Sequence, residues 1–355
     1  MKKLKKIFSA IAGVIFMLFA MFYISTFHPD DVQKEKVNTG EKSPLLEKGK
    51  EYKVLSWNVQ YMAGKNYLFF YDEWDGSGPD VRPKSEDIAL TFKRVAEIIK
   101  DENPDIILLQ EMDYNAKRTD NKDQLAELLK LLPAEYASYT DSFYWKAAFV
   151  PHPKIMGRVG MKLTIISKYK IENATRYQLP LMPNNYIVEN LQFKRAVLEA
   201  AFPIKDGGSI SMMSTHLDAF AQGSDTMQRQ VQYIADLLAG MNSKKSDWII
   251  AGDFNLLPPD NSYDFLPENE KPYFQKESEM KVLYEKFKVL PSLADMTKNR
   301  SAYFTHFANY NKKADRTIDY AIHSDKVKVK DFYVRSKDTK DISDHFPVIM
   351  KFVIE

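Results

Sequence analysis

Short apolar runs punctuate the sequence from residue 52 to the C-terminus, and several end on a polar side chain. They read YKVLSWNV, DIILLQE, MKLTIIS, RAVLEAAF, SISMMSTHL, DWIIAGDF, TIDYAIH and FPVIMKFVI. Runs this short and rich in β-branched residues suit buried strands. Helical patterns separate several of them. DIALTFKRVAEIIKDENPD and TMQRQVQYIADLLAGM carry apolar residues at i, i+3 and i+4, the spacing of one helix face. Asn103-Pro104 and Gly240 stand at their ends as stop signals. Alternating helices and buried strands predict an α/β architecture. A chain of 355 residues, 45% of them hydrophobic, can fill one large core or two modest ones.

The polar run-ends are the chemistry-bearing residues. VLSWN ends on Asn58, ILLQE on Glu111, MMSTH on His216, and IIAGDFN on Asp253 and Asn255. A strand end holds a side chain rigidly while presenting it to a cleft. Each residue alone has a plainer use. Asn58 would cap a turn, Glu111 would be a surface acid, Asp253 and Asn255 would make an Asx-turn, and His216 would be a core histidine. Their co-occurrence in order carries more than any one of them.

In that order they resemble the motifs of the DNase I-like endonuclease/exonuclease/phosphatase superfamily. The motifs read SWN (56–58), LQE (109–111), THL (215–217), GDFN (252–255), RTIDY (316–320) and SDHFPV (343–348). GMKLTIISKYKI, from Gly160 to Ile171, is similar to a further strand of the family. The resemblance covers about 300 residues and implies two packed mixed β-sheets flanked by helices, a four-layer sandwich. It also implies hydrolysis of a phosphate ester with a divalent ion, Mg²⁺ or Mn²⁺, at the strand ends.

The residue types suit that chemistry. Mg²⁺ takes oxygen ligands, typically one or two carboxylates plus substrate phosphate. Glu111 is the expected first ligand, with Asn58 beside it and Asp344 as a further candidate. His345 is the candidate base or transition-state partner, since imidazole titrates near neutrality. The resemblance implies that Asp319 orients it. Asp253 would position the nucleophile or assist the leaving group, and Asn255 and His216 would hydrogen-bond phosphoryl oxygens. Family nucleases pair the THL histidine with a glutamate from an earlier strand. The corresponding segment here, FYWKAAFV, has no acid, so His216 lacks an evident partner. Tyr144 and Lys146 of that segment are candidate phosphate contacts. His28, His152, His306 and His323 receive no role, and Lys194-Arg195 reads as a surface charge pair.

Other chemistries are excluded. The chain has no cysteine, so disulfides, thiolate catalysis and Cys-ligated zinc are impossible. It has neither an H-E-x-x-H nor a P-loop motif.

The N-terminus bears on compartment. MKKLKK precedes an uncharged run of 20 residues, Phe8 to Phe27, and Asp30 and Asp31 follow. A helix of that length spans about 30 Å, the thickness of a hydrocarbon core. The positive-inside rule then leaves the N-terminus cytoplasmic and exports the rest. The competing reading is a cleaved signal peptide. The expected organisation is a membrane anchor over 1–28, a tether over 29–48 and one catalytic domain over 49–355.

The substrate is less constrained, because relatives cleave DNA, RNA, phosphoinositides and sphingomyelin. From Gly49 onward the chain has 42 basic and 43 acidic residues. This lacks the basic excess of a non-specific nucleic-acid binder. Near-neutral charge and an anchor favour a phospholipid-type or membrane-linked phosphodiester. An aromatic-rich insert, Tyr61 to Asp80, offers Tyr67, Phe69, Phe70, Tyr71 and Trp74 to a membrane interface. The alternatives are an extracytoplasmic nuclease acting on DNA or RNA, and a non-catalytic binding module. No obligate protein partner is evident.

Overall fold

The computed structural model describes residues 2–64, 67, 82–219, 221, 223–307 and 313–355. Most of the aromatic-rich insert, including Phe69, Phe70, Tyr71 and Trp74, lies outside the described residues.

In chain order the strands are β1 (Val32–Glu35), β2 (Val37–Asn38), β3 (Glu51–Asn58), β4 (Ile106–Asp113), β5 (Ser138–Val150), β6 (Gly157–Ser167) and β7 (Asn173–Gln178). There follow β8 (Ala196–Pro203), β9 (Ser209–His216), β10 (Asp247–Asp253), β11 (Lys288–Leu290), β12 (Asp319–His323), β13 (Val327–Val334) and β14 (Val348–Ile354). They form two seven-stranded sheets. One runs β1-β7-β8-β9-β10-β12-β11 and the other β13-β14-β3-β4-β6-β5-β2. Both are mixed: β3 and β4 run parallel, as do β9 and β10, among antiparallel neighbours.

Strand periodicity builds the layers. Successive side chains point to opposite faces of a sheet. Val54, Ile106 and Leu108 therefore meet Leu198, Met212 and Ile249 in the core between the sheets. Their neighbours Leu55, Trp57, Ile107 and Leu109 face outward onto α2 (Ser85–Glu102) and α3 (Gln124–Leu131). On the opposite outer face, Met213, Trp248 and Ile250 receive α5 (Thr226–Ser243). The apolar stripe of α2, Ile88, Phe92, Val95 and Ile99, is buried as its spacing predicts, each such side chain stabilising the fold by roughly 1.5–3 kcal/mol. The expected four-layer sandwich is thus present.

Helix ends follow local chemistry in one case and override it in the other. Asn103 closes α2 in the left-handed region, φ 50°, donating its N–H to Ile99 C=O. The helix α5 instead runs through Gly240 to Ser243. A helical glycine costs about 1 kcal/mol, and the buried face of Val231, Ile234 and Leu238 outweighs it.

The segment expected as a tether is a strap. β1 pairs antiparallel with β7 at the edge of one sheet, and β2 pairs with β5 at the edge of the other. Leu46 is fully buried in the inter-sheet core. Backbone pairing to strands more than 100 residues away, rather than an apolar pattern, orders this polar stretch. Before it, α1 (Lys2–Ser25) is long and apolar enough to span a membrane and has no buried residue.

Candidate active site

The site lies where the ends of the two sheets meet. In one sheet, the register sets His216, Asp253 and Asp319 in a row across β9, β10 and β12. Gly252 allows the close approach. A Cβ there would lie 2.0 Å from Thr215 C=O, so no other residue fits before Asp253 without displacing backbone.

The other sheet supplies Asn58 and Glu111 from the parallel strands β3 and β4. The β4–β6 register shifts between Leu109 and Met112, and Glu111 takes a φ of 61°. Such a bulge re-aims side chains. Here it leaves Gln110 between the sheets, donating to Ser214 Oγ at 2.9 Å, while Glu111 meets Asn58. The SDH segment before β14 is pinned to β3: Ser343 Oγ donates to Asn58 C=O at 2.8 Å, and Trp57 Nε1 donates to His345 C=O at 2.9 Å. The early SWN and late SDH motifs are therefore two halves of one fixture.

The polar atoms converge on Asp253. Its Oδ2 lies 3.3 Å from His216 Nε2, 3.4 Å from His345 Nε2 and 3.1 Å from Asn58 Nδ2. Asn58 Nδ2 also donates to Glu111 Oε1 at 2.9 Å. His345 Nδ1 sits 2.8 Å from Asp319 Oδ2. Thr305 Oγ1 holds Asp319 in turn, accepting the N–H groups of Ile318 and Asp319 at 3.1 Å each. The Asn255 N–H donates to Asp253 Oδ1 at 2.9 Å, and its side-chain Nδ2 to Leu217 C=O at 3.1 Å.

Burial separates the protonation states. It pushes Asp253 up to about 7, with Asp319 adding to the rise and His345 opposing it. Burial works against charge on His345, but the carboxylates of Asp319 and Asp253 outweigh it and lift the imidazole well above its ordinary value. Burial, with the charges of Arg195 and His345, holds His216 well below its ordinary value. Two histidines on one carboxylate are thus driven apart, one toward the cation and the other toward the neutral ring.

The acids suit a divalent ion. Burial raises Glu111, and the nearby Asp344 carboxylate raises it further. Two crowded carboxylates of this kind are the hard oxygen donors Mg²⁺ accepts. Asn58 Oδ1 already accepts the Gln60 N–H at 3.0 Å, so its amide orients Glu111 from the side. Two other clusters have ligand atoms mutually within 4.8 Å: Asp253, Asp319 and His345, and His306, Asp344 and His345. In the first, the Asp319–His345 hydrogen bond already occupies Nδ1, which leaves Nε2 as the imidazole's remaining ligand atom. Glu111 and Asp344 offer oxygen donors alone, which suits Mg²⁺ better than either histidine-containing set.

All ten candidate site residues are described, and all but Lys146 lie in this cluster or at its edge. Tyr144 is buried, its hydroxyl 3.4 Å from His216 Nδ1 and its ring edge-on to the imidazole. It takes the place of the missing glutamate as the neighbour of His216. Lys146 is exposed, with Nζ over the rings of Phe143 and Phe27. Lys194 and Arg195 are not a surface pair. Both are buried, Lys194 on Asn190 Oδ1 at 3.0 Å and Arg195 on Asp218 Oδ1 at 3.2 Å. Arg195 keeps a buried Nη1 without a partner. His306, given no role from sequence, packs its ring 4.6 Å from that of His345. No spacing rule connects these residues, because tertiary pairing brings them together.

A family model described as the endonuclease/exonuclease/phosphatase family matches residues 55–345. No curated protein matches the chain in sequence. Solved structures do match in fold. An endonuclease/exonuclease/phosphatase from Beutenbergia cavernae is 20% identical with a TM-score of 0.59, covering 86% of this chain and 72% of its own. The catalytic domain of human Nocturnin with bound sulfate is 18% identical with a TM-score of 0.52, covering 90% and 98%. A mannosyl-6-phosphatase from Bacteroides thetaiotaomicron is 16% identical with a TM-score of 0.51, covering 85% and 100%.

Proposed function

The chain belongs to the endonuclease/exonuclease/phosphatase family, and from that premise we propose that it is a divalent-metal-dependent phosphodiesterase, acting outside the cytoplasm on a phospholipid-type or membrane-linked substrate.

The observation that carries the reaction class is Asp253, one oxygen of which serves two imidazoles at 3.3 and 3.4 Å. A carboxylate raised to about 7 is matched to taking a proton from an attacking water near neutral pH. His345, favoured as the cation, donates from Nε2 to a phosphoryl oxygen as charge develops there. Of the two roles open to it from sequence, the transition-state partner is therefore preferred over the base. Asp319 orients the ring, and neutral His216 with Asn255 hydrogen-bonds the remaining oxygens. When bound at Glu111 and Asp344, beside Asn58, Mg²⁺ or Mn²⁺ supplies charge neutralisation at the phosphoryl oxygens.

The lipid preference rests on the near balance of charge from Gly49 onward and on the apolar helix α1. The four lysines among residues 2–6 and the acids at 30 and 31 orient that helix with its N-terminus cytoplasmic. The test is hydrolysis of DNA, RNA, sphingomyelin, phosphoinositides and bis-p-nitrophenyl phosphate by the full chain, with and without EDTA. Metal-dependent turnover of a lipid above DNA is expected. DNA nicking without lipid turnover reverses the substrate assignment, and turnover indifferent to EDTA removes the mechanism.

A further inference from the structure

The helix α1 does not stand clear of the domain. Phe19 stacks on Tyr186 with ring centroids 5.7 Å apart, and Phe22 lies 6.3 Å from the same ring. Tyr186 opens the short helix α4 (Tyr186–Leu191), and both it and Ile187 are exposed to solvent, by 46% and 59%. Phe19 lies six residues before the end of α1 at Ser25, or roughly 9 Å up the helix axis. Whatever depth of bilayer encloses Phe19 also encloses Tyr186. With the end of α1 at the headgroup boundary, this depth is close to the roughly 5–10 Å to which interfacial helices sink their apolar face.

A second surface lies beside the first. Thr26, just past α1, bridges to Ala147 of β5. Beyond that point the β5–β6 hairpin carries exposed Phe149 and Met156 among Lys146, Lys154 and Arg158. From residue 142 to residue 171 the sequence has no acid. Apolar side chains beside cations, in a stretch without acids, match an anionic lipid surface.

The same strand leads to the catalytic end. Tyr144, three residues before Ala147, contacts His216, so the bridge to α1 lies about 10 Å along β5 from the site. Trp145 Nε1 donates to Leu191 C=O at 2.8 Å, fixing α4 to β5.

We propose that α4 and the tip of the β5–β6 hairpin form a membrane seat, which sinks Tyr186 and Ile187 into an anionic leaflet and turns the catalytic end of the sandwich toward its headgroups. This rests on the membrane-spanning reading of α1 and deepens the lipid assignment. It gives the domain a fixed pose on the bilayer and makes headgroup phosphodiesters the nearest ester bonds.

The absence of cysteine allows a direct test. Ile187→Cys, Met156→Cys, Lys244→Cys and Phe16→Cys, each in the full chain, are labelled with an environment-sensitive fluorophore. They are reconstituted in phosphatidylcholine/phosphatidylglycerol vesicles containing lipids with a shallow nitroxide or, for position 16, a nitroxide near the acyl-chain end. All four positions are exposed on the protein, so labelling leaves the fold intact. Quenching at 187 and 156 should exceed that at 244, on the opposite end of the sandwich, by about threefold or more, as for an interfacial segment. Equal quenching at 187 and 244, with strong quenching at 16, overturns the seat while leaving α1 in the bilayer. A probe at 187 shielded from water but unquenched means another protein copy covers α4, and also overturns it. An unquenched probe at 16 removes the spanning helix and the seat together. Turnover enters none of these readings, so failure of the hydrolase assignment is distinguishable.

Discussion

His345 Nδ1 and Asp319 Oδ2 lie 2.8 Å apart in a buried pair, 26 residues distant in sequence. The carboxylate fixes which ring nitrogen carries its proton inward and leaves Nε2 directed at Asp253. Asp319→Asn keeps the shape and removes the charge that favours the imidazolium. It should lower kcat by about 10²-fold, approaching the loss in His345→Ala or Asp253→Ala, as for a charge-stabilising group. Steady-state kinetics on bis-p-nitrophenyl phosphate measures this, with circular dichroism as the control. Wild-type kcat in Asp319→Asn refutes the pairing's role.

Glu111→Gln tests the metal assignment. The amide keeps the hydrogen bond from Asn58 but loses the charged oxygen a hard cation needs. The Mg²⁺ concentration for half-maximal activity should rise by about tenfold or more, with kcat reduced, and titration calorimetry should show weakened Mn²⁺ binding. Unaltered metal dependence would exclude Glu111 as a ligand.

The raised protonation of Asp253 and His345 predicts a pH effect on stability. Both groups bind protons more tightly folded than unfolded. The fold therefore loses stability as pH rises, for Asp253 from about 3.8 to about 7, and for His345 from 6.5 up through its raised folded value. In EDTA, the wild type should lose stability relative to Asp253→Asn across this window. Urea denaturation at pH 4.5 and 7.5 measures the difference, and an unchanged gap refutes the protonation states.

Gly252→Ala places a methyl group against Thr215 C=O. The sheet must open where β9 meets β10, so stability should fall by about 1–3 kcal/mol or more, as in overpacked cores. Activity should fall with it, because Asp253 and His216 flank the contact. A denaturation midpoint equal to that of the wild type would contradict the close approach.

Truncation separates strap from tether. A chain starting at Asp30 keeps β1, β2 and Leu46 and should melt cooperatively with full activity on a soluble ester. One starting at Gly49 loses two edge strands and a fully buried leucine, and loss of that side chain alone costs roughly 2–5 kcal/mol. Equal melting temperatures for the two would show that the strap contributes nothing.

The sandwich was legible, and so was the grouping of most candidate site residues, because strand ends advertise themselves. VLSWN, ILLQE, MMSTH and IIAGD each finish an apolar run on a residue that the fold gathers at the candidate site, and two-residue periodicity sorted Val54 from Leu55 into different layers. What escaped was set by long-range pairing. VQKE has no apolar alternation, and its half-exposed edge position follows from β7, about 140 residues away. Lys194 and Arg195 look solvated in sequence because charges normally are. They are buried because Asn190 and Asp218 receive them. His306 reaches His345 through a backbone bridge that no local pattern announces.

The strap also has a mechanical meaning. β1 closes the edge of one sheet, and β2, after Lys36 alone, closes the edge of the other. A pull on α1 is therefore borne by several backbone hydrogen bonds loaded in shear along the strands, rather than peeled apart one at a time. A polypeptide leash of the same 20 residues would let the body tumble and sweep a hemisphere. This stitched edge denies it both swivel and slack. With α1 in a bilayer as proposed, the body would keep one working height and one heading, and would meet new substrate by drifting laterally with its helix rather than by reaching.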